Sequence, residues 1–242
     1  MVSNNISVDC VIFGFDFERL NVLLVDRTLL DADGRVIFTD RTLTGNHVFV
    51  DETLDAAAHR IPADLTGLDN IYLEQFRTFG SPDRIRRPND QLWLRSCGRD
   101  PERRVVTVGY VALLARRDIR LIWKGRNVKW YPVDEVGDLA FDHNQILAEA
   151  LKYIRNKLIN EPSVGFELLP PKFTLTQLQT VYEVILGVRL DKRNFRKKTA
   201  RMSYLIPLDE KQTGVAHKPA QLYSFDKELY ETSRKDFNSF FI

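Results

Sequence analysis

Cysteine is nearly absent from this chain: Cys10 and Cys97 are the only two among 242 residues. They form no Cys-x-x-Cys pair and no Cys/His ligand spacing, so neither a disulfide framework nor a zinc site is expected. No apolar run approaches the roughly 20 residues that span a bilayer, and 28% charged residues argue against a membrane protein. The N-terminal MVSNNISVDC lacks the basic start and apolar stretch of a secretory signal. A dominant charge sign is missing too, since the net charge is +2, which alone points to no partner. No internal repeat or low-complexity segment occurs. These absences lead to the expectation of a cytoplasmic protein. Its 44% hydrophobic content is ample for the core of one large domain or two modest ones.

What is present is patterned. ISVDCVIFGFD and NVLLVDR alternate as two strands do, and FDFERL joins them as a hairpin connection. HVFV predicts a further short strand. Leu54, Ala57, Ala58 and Ile61 then recur at a period of three to four. That spacing predicts a helix with Asp51 or Thr53 as N-cap and Gly67 as its stop. Pro62 falls late in it, where the missing N–H and the ring clash predict a kink or an early end. IYLEQFRTFG and RVVTVGYVALLA, rich in β-branched and aromatic residues, predict strands. Between them RIRRPNDQLWLRSCGRD is polar and irregular, and reads as an extended loop or a small added hairpin. VKWYPVDEV is a short extended segment ending in a turn. A long helix follows to Asn160, with Asp142 as N-cap and Ile146, Leu147, Ala150, Leu151, Ile154 and Leu158 on one face.

Pro162, Gly165, Pro170 and Pro171 break regular structure in EPSVGFELLPPK and place a domain seam after Asn160. Beyond it, Thr174 and Gln177 have capping-box spacing at the head of a helix that closes on Gly187, with Leu178, Val181, Tyr182 and Ile185 as its buried stripe. Asp191 caps a second helix, KRNFRKKTARM, in which Phe195, Thr199 and Met202 face inward. Six basic residues lie within ten positions there: Lys192, Arg193, Arg196, Lys197, Lys198 and Arg201. Two short strands, YLIPLDE and AQLYSF, follow around a loop containing His217, Lys218 and Pro219. Helix, helix and β-hairpin in that order make a winged helix-turn-helix.

The stretch Asn46 to Leu68, NHVFVDETLDAAAHRIPADLTGL, resembles the Nudix hydrolase box. That box runs Gly, five residues, Glu, seven residues, Arg-Glu, aliphatic, any residue, Glu-Glu, any residue, Gly, aliphatic. Glu52, Arg60, Gly67 and Leu68 fall on the pattern. Asn46 stands where the opening glycine belongs, and Ile61, Asp64 and Leu65 replace the three central glutamates. Those carboxylates hold the divalent cations that neutralise a diphosphate and activate water. With Glu52 and Asp64 remaining, a two-metal hydrolytic site cannot be assembled. The chain is therefore expected not to be an enzyme, and to carry no metal or other cofactor.

The whole chain is similar to the Nudix-related transcriptional regulators, the NrtR-like family. The likeness is carried by the box remnant, by WYPVDEVGDLAFDHNQIL, and by FTLTQLQTVYEVILGVRLDKRNFRKKTARMSYLIP with KPAQLYSF. RDPERRVVTVGYVALL also looks like the strand that precedes that family's effector site. The resemblance implies an α+β fold: a Nudix α/β/α sandwich over residues 1–160, then a winged helix-turn-helix over residues 161–242. It implies a ligand-responsive DNA-binding regulator, expected to be a repressor, that binds a pseudo-palindromic operator as a homodimer. The effector it implies is ADP-ribose, a related NAD-pathway metabolite, or a pentose such as arabinose. Two segments depart from the family pattern beside the expected effector groove: LLDADGRVIFTDRTL, and the insertion RIRRPNDQLWLRSCG. A reading of another class is a Nudix-type hydrolase of nucleoside diphosphate derivatives with weak residual activity. The carboxylate count in the box separates the two and favours the regulator.

The resemblance marks Arg99, Arg104, Lys129, Trp130, Phe141 and His143 as candidate effector contacts. Arg99 and Arg104 suit phosphate or hydroxyl groups through charge-assisted hydrogen bonds, or are strand-edge surface residues. Trp130 and Phe141 either stack on a ring or fill the core. His143 either contacts the effector or serves as a structural hydrogen-bonding histidine at a helix start. For DNA the candidates are Lys192, Arg193, Asn194, Arg196, Lys197, Lys198 and Arg201 on the second helix and Lys218 at the wing. Early residues of a recognition helix reach base edges, and later cations lie over phosphates.

Overall fold

The structure, a computed structural model, describes residues 2–115, 127–216 and 218–233. His217, expected in the wing loop, lies outside the described residues. The chain divides into two compact units, residues 1–14 with 20–151, and residues 15–19 with 152–242.

Strands β1 (Val2–Phe15) and β2 (Leu20–Leu30) form the hairpin expected from their alternation, and β3 (Val36–Thr42) pairs antiparallel with β2. β4 (Thr44–Phe49) pairs with β1, β5 (Glu74–Phe79) with β6 (Val106–Ala115), and β7 (Val128–Pro132) with β2. The sheet has the order β3-β2-β1-β6-β5, with β4 and β7 attached to β1 and β2. The segment LLDADGRVIFTDRTL thus becomes the β2–β3 hairpin, turning at Asp31–Gly34, where Asp31 accepts the backbone N–H groups of Asp33 and Arg35.

Helix α1 (Leu54–Thr66) starts at Thr53, whose hydroxyl accepts the Ala56 N–H, and stops at Gly67 in the left-handed conformation (φ 76°). It does not end early at Pro62. The carbonyl of Ala58, which Pro62 leaves without its helical donor, accepts the Cys10 thiol instead, and Thr66 Oγ1 donates back to the Pro62 carbonyl at 2.7 Å. Ala57, Ala58, Ile61 and Leu65 press into a core with Val8, Cys10, Ile12 and Leu23. Strand alternation turns Ser7 and Asp9 to the opposite face of β1.

Two regions depart from the sequence expectation. RIRRPNDQLWLRSCGRD is neither loop nor hairpin, because it carries α2 (Pro88–Ser96). Proline suits the first helical turn, where its N–H would be unpaired anyway, and Leu94 packs with Ile85, Val105 and Phe141. The proline-broken seam likewise holds one short helix, α4 (Ser163–Glu167), after the long α3 (His143–Asn160). The division between units falls inside α3, whereas the sequence seam lies at its end.

In the second unit α5 (Leu175–Leu186) has both bonds of its capping box between Thr174 and Gln177, and ends on Gly187 at φ 71°. Leu178, Val181, Tyr182 and Ile185 are all fully buried. α6 (Lys192–Thr199) is shorter than expected, since Met202 is buried beyond its end. β8 (Leu205–Lys211) and β9 (Gln221–Phe225) form the wing, and α7 (Lys227–Ser233) follows. Aromatic rings knit the unit: Phe166 stacks on Phe225 at 4.4 Å, and Tyr204 meets Tyr230 edge-on.

Candidate functional site

A cavity of about 320 Å³ opens on the face of the sheet where Asp9 points. Its walls come from β1, β2, β4, the α2 region and the start of α3. Two buried arginines organise it. Arg27, 2% exposed, donates from Nε and Nη2 to Asp40 at 2.7 and 2.6 Å, and from Nη2 to Asp90 at 2.7 Å. The rings of Phe38, Trp93 and Phe141 surround its guanidinium at 5.4, 5.4 and 4.7 Å. Arg84 bridges Asp142 at 2.9 and 3.0 Å and Asp9 at 3.3 Å. Asp142 directly precedes α3, and its carboxylate goes to Arg84.

His143, 3% exposed, is fixed by three contacts. Its Nδ1 accepts the Leu43 backbone N–H at 3.0 Å and lies 2.9 Å from the Thr42 hydroxyl. A ring nitrogen that accepts carries no proton, so the proton sits on Nε2, which faces Asp9 Oδ1 at 3.4 Å. Burial by itself raises the Asp9 carboxyl, but His143 and the Arg84 guanidinium outweigh it and hold the group far below the usual carboxylate range. Asp9 has this position because Gly45 faces it: a Cβ there would lie 1.9 Å from Asp9 Oδ1. Phe141 adopts φ 54°, unusual for a non-glycine residue, with its N–H held by Asp90 at 3.0 Å. Strain of this kind gathers at binding sites.

Of the candidate effector residues, Arg99, Phe141 and His143 line this cavity. Arg104, Lys129 and Trp130 do not. Arg104 is exposed and donates to the Gly80 carbonyl at 2.9 Å. Lys129 is exposed on β7 opposite Leu24, and Trp130 packs on the α1 core and over Gly14. Arg99 also lines a second cavity of about 180 Å³, and His47, Leu94 and Val105 are common to both. Burial lowers the Arg99 pKa from its usual value, and no ion pair holds it among the described residues. Sequence reading missed Asp9, Arg27, Gly45 and Arg84. A charged residue inside an apolar strand, as in VDCVIF and LLVDRTLL, was the available signal.

Glu52 and Arg60, the residues matched to the box, form a structural clasp. Arg60 donates to both Glu52 oxygens at 2.6 and 2.8 Å and lies 4.0 Å over the Phe49 ring, and Glu52 also accepts the Phe49 N–H at 3.0 Å. These bonds hold the Glu52 carboxyl below its usual pKa, Arg60 first among them. Ile61 and Leu65 are 0% and 7% exposed, so their positions face the core.

In the second unit Asp191 Oδ1 accepts the Asn194 N–H at 2.7 Å and starts α6. Phe195 packs edge-on against Tyr182, and Thr199 is buried. That anchoring leaves Lys192, Arg193, Asn194, Arg196 and Lys197 exposed along one helix, with Lys198 half-buried and Arg201 exposed just beyond. Lys218 is exposed between the wing strands. The turn into α6 is set by Glu183 Oε1, which accepts from Leu190 N at 2.8 Å and from Gln179 at 2.9 Å. No local residue pattern signals this clamp.

Residues 165–225 match the NrtR DNA-binding winged helix domain. The ADPR responsive transcriptional repressor NtrR of Acinetobacter baylyi is 32% identical over 230 residues, covering 93% of this chain and 83% of its own length. The chain belongs to the NrtR family of Nudix-related transcriptional regulators. Shewanella oneidensis NrtR, crystallised with a 27mer DNA, superposes with a TM-score of 0.64 at 28% identity, over 93% of this chain and 95% of its own. A MutT/nudix family protein of Enterococcus faecalis gives 0.65 at 25% identity, over 93% and 87%. NrtR membership makes the first unit a Nudix fold and the second its winged helix, the α+β arrangement expected from the sequence. No helix among the described residues is long and apolar enough to cross a membrane.

Proposed function

We propose that the chain is an ADP-ribose-responsive repressor. Residues 1–160 form a Nudix sensor without hydrolytic activity, and residues 161–242 bind operator DNA. The observation that carries the reading is the division of charge between the units. The first has a cavity built from buried ion pairs beside a box remnant whose Glu52 is bound by Arg60. The second presents a capped helix with exposed cations next to a wing. The name of the Acinetobacter relative directs the effector to ADP-ribose rather than a pentose. The chain acts in the cytoplasm as a homodimer on a pseudo-palindromic site. One winged helix offers only about 600–1,000 Å² of contact, and two-fold symmetry doubles it.

The free cysteines supply the test. Cys97 is exposed and lines the cavity, whereas Cys10 is buried. A maleimide therefore labels Cys97 alone, and ADP-ribose slows that labelling and, in gel shifts, changes operator affinity. Labelling and operator binding both indifferent to ADP-ribose would overturn the reading.

A further inference from the structure

The turn from α5 into α6 is held by two side chains of α5. Gly187 and Val188 donate their N–H groups to the Glu183 carbonyl, at 2.9 and 3.3 Å. Leu190 lies past the end of that ladder, and both of its backbone groups go to side chains instead. Its N–H donates to Glu183 Oε1 at 2.8 Å, and its carbonyl accepts from Gln179 Nε2 at 2.9 Å. Gln179 also donates to Glu183 Oε1 at 2.9 Å, which locks the pair together. A carboxylate acceptor makes the Leu190 bond a charge-assisted one, and Glu183 is only 15% exposed. Leu190 directly precedes Asp191, the N-cap of α6. The start of α6 is therefore tied to α5 through Leu190, and its middle through Phe195 against Tyr182.

We propose that Glu183 and Gln179 are positioning residues for sequence recognition: by fixing Leu190 they set the orientation in which α6 presents Arg193 and Asn194 to base edges. The proposal rests on the reading of the second unit as the operator-binding one. Glu183 carries the wrong charge to hold a phosphate, so its effect runs through Leu190. The eight residues of α6 make a helix about 12 Å long, and without the clamp it pivots on the Phe195 contact. A hydrogen bond to a base edge tolerates about 0.5 Å in donor–acceptor distance, so a small pivot breaks it. Phosphate contacts act through charge and carry no sequence information, so the cations of α6 keep their general hold on DNA. The clamp thus serves specificity more than affinity.

The test uses the full chain and a duplex that the wild type selects from a random-sequence pool. Gel shifts give the affinity of each variant for the selected duplex and for a shuffled one of the same composition, with circular dichroism checking the fold at the gel temperature. Glu183→Leu is expected to lower the ratio of the two affinities about tenfold, the order of one lost base-edge contact. Its affinity for the shuffled duplex is expected to stay within about twofold, since phosphate contacts do not read sequence. Glu183→Gln removes the same charge but keeps an acceptor oxygen, and is expected to hold the wild-type ratio. Gln179→Leu should lower the ratio in the same direction, and adding it to Glu183→Leu should cost little more, because both side chains hold one residue. Should Glu183→Leu fail to fold, Gln179→Leu carries the same comparison. An unchanged ratio overturns the proposal. So does an equal loss on both duplexes, the mark of a merely structural residue, or a loss in Glu183→Gln as large as in Glu183→Leu, which reports charge alone. Wild-type selection with variants unaffected keeps the operator reading and removes the clamp. A wild type that enriches no sequence removes both.

Discussion

The thiol of Cys10 on β1 donates to the carbonyl of Ala58 on α1 at 3.6 Å, the carbonyl that Pro62 deprives of its helical N–H. Burial holds the Cys10 thiol well above its usual pKa, so it stays protonated and remains a donor. Cys10→Ala removes both the donor and buried volume, and is expected to cost about 1–3 kcal/mol in urea unfolding. The pair Cys10→Ala with Pro62→Ala restores the helical N–H. It is expected to recover part of that loss, and a double mutant as unstable as the sum of the singles refutes the link.

Arg27, Asp40 and Asp90 tie α2 to the β2–β3 hairpin. Asp90→Ala leaves a buried guanidinium short of a partner and frees the Phe141 N–H. A cost of about 3–5 kcal/mol is expected, read as a lowered melting temperature. A change within 0.5 kcal/mol would mean that α2 is docked by Leu94 and Trp93 instead.

Asp9 gives the first unit a pH dependence. Its folded pKa lies below the unfolded value of about 4, so the stability it contributes is complete above that value and is lost as the pH falls toward the folded pKa. Urea midpoints measured from pH 5 down to pH 2 should fall, and Asp9→Asn should flatten that slope by up to one proton. Identical slopes in both proteins contradict the assignment to Asp9.

No Mg²⁺-dependent hydrolysis of ADP-ribose or nucleotide sugars is expected, because Glu52 is engaged by Arg60 and Phe49, and Ile61 and Leu65 lie in the core. Formation of AMP and ribose 5-phosphate from ADP-ribose by pure protein within roughly tenfold of a typical kcat of about 10 s⁻¹ would show a working hydrolase.

On α6, Arg193→Ala or Asn194→Ala should cost about 1–3 kcal/mol and relax sequence preference through lost base-edge contacts. Lys197→Ala or Lys218→Ala should instead weaken binding to all sequences and reduce the salt slope by about one unit. Gel shifts at two salt concentrations separate the two patterns. Unchanged affinity in both Arg193→Ala and Lys197→Ala would reduce this face to a solvated surface.

The second unit was the more legible in sequence. Thr174 with Gln177, Gly187 and Asp191 act within a few residues of themselves, so caps and stops carry their meaning locally. The first unit was less so. Pro88 and Leu94 lie in a polar stretch whose helix depends on Arg27, 63 residues before Asp90. Likewise Pro62 is a helix breaker by local rules, and α1 continues because a strand 48 residues away supplies a donor.

The sequence by itself determined the caps and stops of α1, α5 and α6 and the concentration of basic residues on α6, since each depends on residue type and near-neighbour spacing. Only the tertiary structure decided what the first unit offers a ligand. It turned Trp130 into the α1 core and brought Asp9, Arg27, Arg84, Phe141 and His143 to one cavity. The physical reason is that a buried charge is tolerable only beside its partners. For Arg27 and Arg84 those partners arrive from strands and helices far apart in the chain.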